Sequence, residues 1–281
     1  MRTFLVRELR LWMHFRSSFT LDQLMVLTNF TIYMVMASFQ RIGPGLEAYG
    51  SDFTSFVVVG LAANTVFAAA LAAPYLGLLA SWQANRLELL MLSPINLPLF
   101  IAGISLGQYL RAAFRVAIYL VLGILVFGAG QGWSLRIDGL LAGLAASILA
   151  VAASMGLGLA AAAMIYFVDA RGGSDPVRLV VEAVAGIAAG VYFPVSFLPQ
   201  WLQWLACAVP HTYALDTLRR GLAGMSPLPT LPVHGVLPGS PVEVNLFVLA
   251  VYAILSALLG LGLFRRGLEL ARTDGRLSTW R

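Results

Sequence analysis

The sequence predicts an all-α integral membrane protein with six transmembrane helices, and three observations carry that prediction. Hydrophobic residues make up 59% of the 281 and charged residues 11%, where soluble domains hold roughly 25% charged. Uncharged apolar runs long enough to cross a bilayer recur from one end of the chain to the other, and about 20 such residues span the roughly 30 Å hydrocarbon core. The arginines between these runs are unevenly shared. Fourteen fall on the side that six spans assign to both termini, and four (Arg41, Arg136, Arg219, Arg220) on the other. The positive-inside rule therefore puts both termini in the cytoplasm of a plasma (cytoplasmic or inner) membrane. No soluble domain is left over, and 1–281 reads as a single membrane domain.

Residues 1–19 open the chain. Phe4, Leu5, Leu9, Leu11, Trp12 and Phe15 cover one broad side at helical spacing, with Arg7, Arg10 and His14 opposite, the pattern of an amphipathic helix lying in the headgroup layer. A signal peptide shares the basic start, but the apolar run here outlasts its roughly 7–15 residues. Spans are expected at 22–39, 53–81, 108–130, 139–167, 177–193 and 243–264. Asn29 and Thr31 give the first span polar groups to bond a neighbour, and Pro74 should kink the second near its end. Arg111 and Arg115 cost about 2.5–3.5 kcal/mol each at mid-bilayer. The third span is therefore expected to begin near Gln108, with both arginines snorkelling to the cytoplasmic side. Gly139, Gly143 and Ser147, then Ser154 and Gly158, set small residues four apart on the fourth span. Gly186 and Gly190 on the fifth, and Ser256 and Gly260 on the sixth, do the same, so neighbouring helices can approach closely. Five prolines between 223 and 241 favour extended, irregular chain outside the membrane. Segment 83–97 is too short and polar to span.

The rest is organised around 190–222, GVYFPVSFLPQWLQWLACAVPHTYALDTLRRGL. It is apolar enough for a membrane, yet Pro194, Pro199 and Pro210 break the ladder of backbone hydrogen bonds. Broken backbone survives in a bilayer only where protein or water covers it. Trp201, Trp204 and Tyr213 favour the membrane interface, and Arg219 and Arg220 close the stretch with fixed charge. The expected form is a re-entrant external helical hairpin over 194–222, before the sixth span.

Several chemistries are excluded. All 18 basic residues are arginine, and a Walker A loop needs lysine on the phosphates, so this chain does not hydrolyse ATP by that route. His14, His211 and His234 fall in three separate regions, and no HExxH, paired Cys/His spacing or Gly-x-Ser-x-Gly elbow occurs. No catalytic, metal-binding or cofactor-binding residue is expected. The arginines are scattered between apolar runs, which fits the lipid bilayer as partner and not nucleic acid. Cys207 is alone and forms no intrachain disulfide. Glu182 is the one carboxylate well inside an apolar run, and two readings stand. It faces a pathway, attracting a cation or carrying a proton, or it pairs with Arg178 one turn away at the cytoplasmic interface.

The order Gly190, Tyr192-Phe193-Pro194, Pro199, Trp201-Leu202, Pro210, Thr212-Tyr213-Ala214-Leu215 and Arg219-Arg220 resembles the C-terminal signature of permease subunits of type 2 ABC exporters, which move drugs, lipids and polysaccharides. Leu87-Glu88, Leu89 and Ser93-Pro94 resemble that family's coupling segment, with Asn85-Arg86 where Gly-Thr is usual. The resemblance implies that 83–97 is a cytoplasmic coupling helix docking on an ATPase through Arg86, Leu87, Glu88, Leu89, Ser93 and Pro94. It implies a dimer with a second permease chain, identical or homologous, and two copies of a nucleotide-binding subunit that carries ATP and Mg. The second and fifth spans would line the path, through Asn64, Thr65, Phe67, Val184, Ile187 and Val191, with Glu182 if it faces inward. Tyr192, Phe193, Pro194, Pro199, Trp201, Pro210 and Tyr213 would form an external gate. The expected cavity is mostly apolar and suits a hydrophobic or amphipathic substrate. The alternatives are an ion-coupled secondary transporter or channel acting without an ATPase, a membrane-embedded enzyme, and a scaffold.

Overall fold

The computed structural model describes residues 14, 16–40, 53–83, 97–127, 139–167, 176–192, 194–222 and 231–273. They are all-helical: α1 (Arg16–Gln40), α2 (Phe53–Gln83), α3 (Leu97–Phe127), α4 (Leu140–Phe167), α5 (Pro176–Ala188), α6 (Gln200–Cys207), α7 (Pro210–Leu222) and α8 (Pro241–Thr273). Four stretches are long and apolar enough to cross a membrane, Phe56–Gln83, Phe100–Leu125, Leu140–Phe167 and Pro241–Ala271. The chain is a multi-pass membrane protein, and these four match the second, third, fourth and sixth expected spans.

The other two differ. Helix α1 has 25 residues but carries Asp22, Gln23 and Asn29, and it is not among the four apolar stretches. Helix α5 has 13 residues, about 20 Å at 1.5 Å per residue, short of the roughly 30 Å core. It ends at Ala188 because the backbone turns left-handed at Gly190, φ 79°, a conformation that glycine adopts without steric cost. Other boundaries shift as well. Helix α3 begins at Leu97, ahead of Gln108, where the membrane-embedded part of the third span is expected to start, and α8 runs on to Thr273, carrying Arg265 and Arg266 beyond the expected sixth span. Residues 16–19 continue into α1 instead of forming a separate surface helix. Residues 1–13 and 84–96, which hold most of the expected interfacial and coupling helices, lie outside the described residues.

Helix α4 lies at the centre, against α2, α7 and α8. Small residues make this possible. A Cβ on Gly156 would collide with the backbone of Ser256 and Ala257, and one on Gly260 with the carbonyl of Gly156. Gly158 lies against the Leu71 carbonyl and the ring of Pro74, and Gly139 against Gly221 of α7. Backbone-to-backbone contact of this kind supplies dispersion energy where lipid removes the hydrophobic difference between helix and solvent. Gly186 has open space beside it and is not such a contact.

The proline-rich stretch forms two short helices because its prolines sit at helix starts. Pro199 precedes α6 and Pro210 is the first residue of α7, where a missing N–H costs nothing. The carbonyls at the end of α6 accept side-chain donors as well as the backbone N–H of the turn that follows. Thr212 Oγ1 donates to Ala206 O at 2.6 Å, Tyr213 Oη to Cys207 O at 2.8 Å and Tyr252 Oη to the same oxygen at 3.1 Å. Arg219, 4% exposed, closes the break after α5. Its guanidinium donates to Gly190 O at 2.6 Å, Val191 O at 3.1 Å and Phe56 O at 3.1 Å, and lies 3.3 Å above the centroid of the Phe56 ring.

A second polar chain ties α7 to α8. Leu231 N–H donates to His234 Nδ1 at 3.1 Å, so the ring proton sits on Nε2, which donates to Asn245 Oδ1 at 2.9 Å. Asn245 Nδ2 donates to Asp216 Oδ2 at 2.7 Å, and Arg220 Nε donates to the same oxygen at 2.8 Å. His234, in the proline-rich segment before α8, is a structural bridge.

Gly156→Leu should lower stability by about 3 kcal/mol, the upper end of overpacking costs, because the new side chain meets backbone. Gly262→Leu, whose Cβ would meet open space, should leave it unchanged. Thermal denaturation of the purified protein in one detergent checks both.

Candidate functional site: a charged cavity among four helices

Each helix around one cavity contributes residues at helical spacing. Along α2 the stripe is Leu61, Asn64, Thr65, Ala68, Ala69, Ala72 and Leu76; along α3 it is Gln108, Arg111, Ala112, Arg115 and Tyr119. Helix α1 supplies Asp22, Met25, Val26, Asn29 and Tyr33, and α5 supplies Arg178 and Glu182, with Tyr192 just beyond. Steps of three and four put such residues on one face. Together they enclose about 390 Å³, within the roughly 300–1,000 Å³ of small-molecule sites. The alanines of α2 make the room, since larger side chains there would fill it.

The walls are charged, which corrects the expectation of a mostly apolar cavity. Asp22 and Arg115 form a two-pronged pair, with Nη2 on Oδ1 and Nε 3.3 Å from Oδ2. Arg115, whose side chain is 38% exposed, is thus neutralised by an acid of α1. Arg178 Nη1 lies 3.4 Å and 3.5 Å from the two carboxylate oxygens of Glu182. Glu182 therefore pairs with Arg178 one turn away and also lines the cavity. Arg111, near the middle of the apolar stretch Phe100–Leu125, has no ion pair or hydrogen bond among the described residues. Aromatic rings close one end, with Tyr33 and Tyr192 stacked 4.3 Å apart and 10° from parallel.

The cavity gathers Asn64, Thr65, Glu182 and Tyr192 of the expected pathway and gate, and leaves the others elsewhere. Phe67 packs edge-on against His211 at 5.3 Å, in a cluster with Val191 and Tyr213. Val184 packs on Ala185, Ala189 and Val209. Pro194 and Pro210 are buried, whereas Pro199 and Trp201 are exposed. Phe193, the side chain of Ile187, and Arg86, Leu87, Glu88, Leu89, Ser93 and Pro94 lie outside the described residues. Sequence reasoning missed Asp22, Gln108, Arg111 and Arg115 as site residues. Their signal was opposite charge inside two neighbouring apolar segments, which in lipid points to pairing or to a polar cavity.

His211, on α7 outside the four apolar stretches, is 2% exposed. Burial pushes its pKa down to about 4, so it is neutral at physiological pH and serves packing against Phe67. Among the described residues no group of His, Cys, Asp and Glu is placed to hold a metal ion. Compared with known proteins, the chain matches no family model and no curated protein.

Asp22→Asn and Arg115→Gln should each destabilise the protein, and the double variant by less than their sum, with a coupling of about 1 kcal/mol for a partly exposed pair; a double-mutant cycle on thermal unfolding measures it. The folded pKa of His211 lies below its ordinary 6.5, so the unfolded chain binds more protons between these values. Stability should be complete above pH 6.5 and fall towards pH 4, by about 3 kcal/mol from this group. His211→Gln should flatten that slope in melts taken from pH 8 to 4.5.

Proposed function

We propose that this chain is the membrane subunit of an ATP-driven exporter of the type 2 ABC class, working with a second permease chain and two ATPase subunits. In this reading α1 and α5 complete six spans, the termini lie in the cytoplasm, and the protein resides in the plasma (inner) membrane. The observation that supports it is the cavity, lined by Asn64 and Thr65 of the expected pathway with Glu182, and by Tyr192 at the start of the broken stretch 190–222, although Phe67, Val184 and Val191 pack elsewhere. Mobile gates need a packed element with two arrangements, and short helices pinned by a few side-chain hydrogen bonds suit that better than continuous spans. The chain has no lysine and so no Walker A site of its own. Energy therefore enters through a partner, with segment 83–97 as its handle and Glu88 at the contact.

A second reading is favoured by one specific observation. An ion-coupled transporter needs charged groups at membrane depth on several helices, and Asp22, Arg111, Arg115, Arg178 and Glu182 supply them from three. Flux by the purified chain alone in proteoliposomes under an ion gradient would decide for that reading.

Under the exporter reading, detergent-extracted chain should copurify with an ATPase subunit, and Glu88→Arg should weaken that association about tenfold, the equivalent of one interfacial charge contact. An undiminished yield of ATPase with Glu88→Arg would remove 83–97 as the handle.

A further inference from the structure

The charges around the cavity do not cancel. Asp22 is taken by Arg115, and Glu182 by Arg178. Arg111 remains, a guanidinium with five N–H donors and no acceptor on the protein among the described residues. It stands near the midpoint of an apolar stretch running from Phe100 to Leu125, where a bare arginine is costly unless a cavity or a partner receives it. Amide donors line the same cavity. Gln108 lies one turn before Arg111 on α3 and Asn64 belongs to the α2 wall, each with an amide that no other described residue engages. The alanine wall of α2 and the stacked Tyr33–Tyr192 pair add apolar surface elsewhere in the same cavity.

The geometry points to a binding site for an anionic headgroup, a phosphate or carboxylate carried by an amphiphile, held by Arg111 with Gln108 and Asn64. A guanidinium fork matches such an anion in charge and shape. A cationic ligand would meet an uncompensated positive charge, and a wholly apolar one would leave Arg111 without acceptors. The two existing ion pairs keep Arg115 and Arg178 from competing for the headgroup. That the bound anion is cargo rests on the exporter reading; that it binds does not.

The test uses the purified full chain in uncharged detergent, with no ATPase present, so copurification and binding fail independently. Dioctanoyl phosphatidylglycerol and dioctanoyl phosphatidylcholine, which share their tails, are titrated and binding is read by calorimetry. The anionic lipid should bind about tenfold more tightly. Arg111→Gln should abolish the difference, Arg111→Lys should keep most of it, and exposed Arg265→Gln on α8 should keep all of it. Ala68→Phe, which fills the cavity and leaves Arg111 in place, should remove binding of the anionic lipid. Free glycerol 3-phosphate distinguishes the sources: displacement of the lipid makes the phosphate itself the ligand, and no displacement makes the lipid the ligand. Equal binding of the two lipids to the unaltered protein, or a preference that survives Arg111→Gln or Ala68→Phe, would overturn the assignment.

Discussion

Arg219 is the interaction on which the arrangement of this chain depends. A membrane protein leaves its helical hydrogen-bond ladder only if every freed carbonyl finds another donor, and the break after α5 frees those of Gly190 and Val191. One guanidinium reaches both, and also Phe56 at the start of α2. Its charge, 4% exposed, is compensated by three carbonyl dipoles and the face of the Phe56 ring. Gly60 completes the arrangement, since a Cβ there would strike the Val191 carbonyl and the Arg219 guanidinium. The end of α5, the start of α2 and the length of α7 are thereby one unit, and the wall of the cavity formed by α5 and Tyr192 is set by it.

The next residue performs a related task on the opposite partner. Arg220 holds Asp216, Asp216 accepts from Asn245, and Asn245 accepts from His234. Through this relay α7 is joined to α8 and to the segment before it by polar groups that satisfy one another in surroundings with little water. Adjacent arginines thus brace α7 on two sides. The short helices of 194–222, each shorter than a span, are thus held in this conformation by a small set of side-chain hydrogen bonds.

Packing and charge divide the bundle between them. The contacts of α4 with α8 and α2 are made by backbone against backbone at Gly156, Gly260 and Gly158, leaving no space for a ligand. The side of α2 turned away from α4 carries Asn64, Thr65 and small alanines, and there α1, α3 and α5 stand off to leave the cavity. One helix therefore has a sealed face and an open one. Charged side chains collect on the open face because only there can they find counter-ions, other polar groups or solvent.

Membrane solvent, helical class and the special nature of 190–222 were all determined by the sequence, because each depends on composition and on where prolines fall. The stripe of small residues on α4 was legible for the same reason, since spacing along one helix fixes which residues share a face. A small part of the cavity was legible too, through Asn64, Thr65, Glu182 and Tyr192. What only tertiary structure decided was pairing between helices. Asp22 and Arg115 are 93 positions apart, and nothing local shows that the acid of α1 meets the arginine of α3, or that Arg111, one turn away, meets no acid among the described residues. Likewise Arg219 read as a boundary charge until the fold brought three carbonyls around it. Local spacing shows which face a side chain occupies; only the packing of one helix on another shows what that face meets, because burial and electrostatic compensation are properties of neighbours far away in the chain.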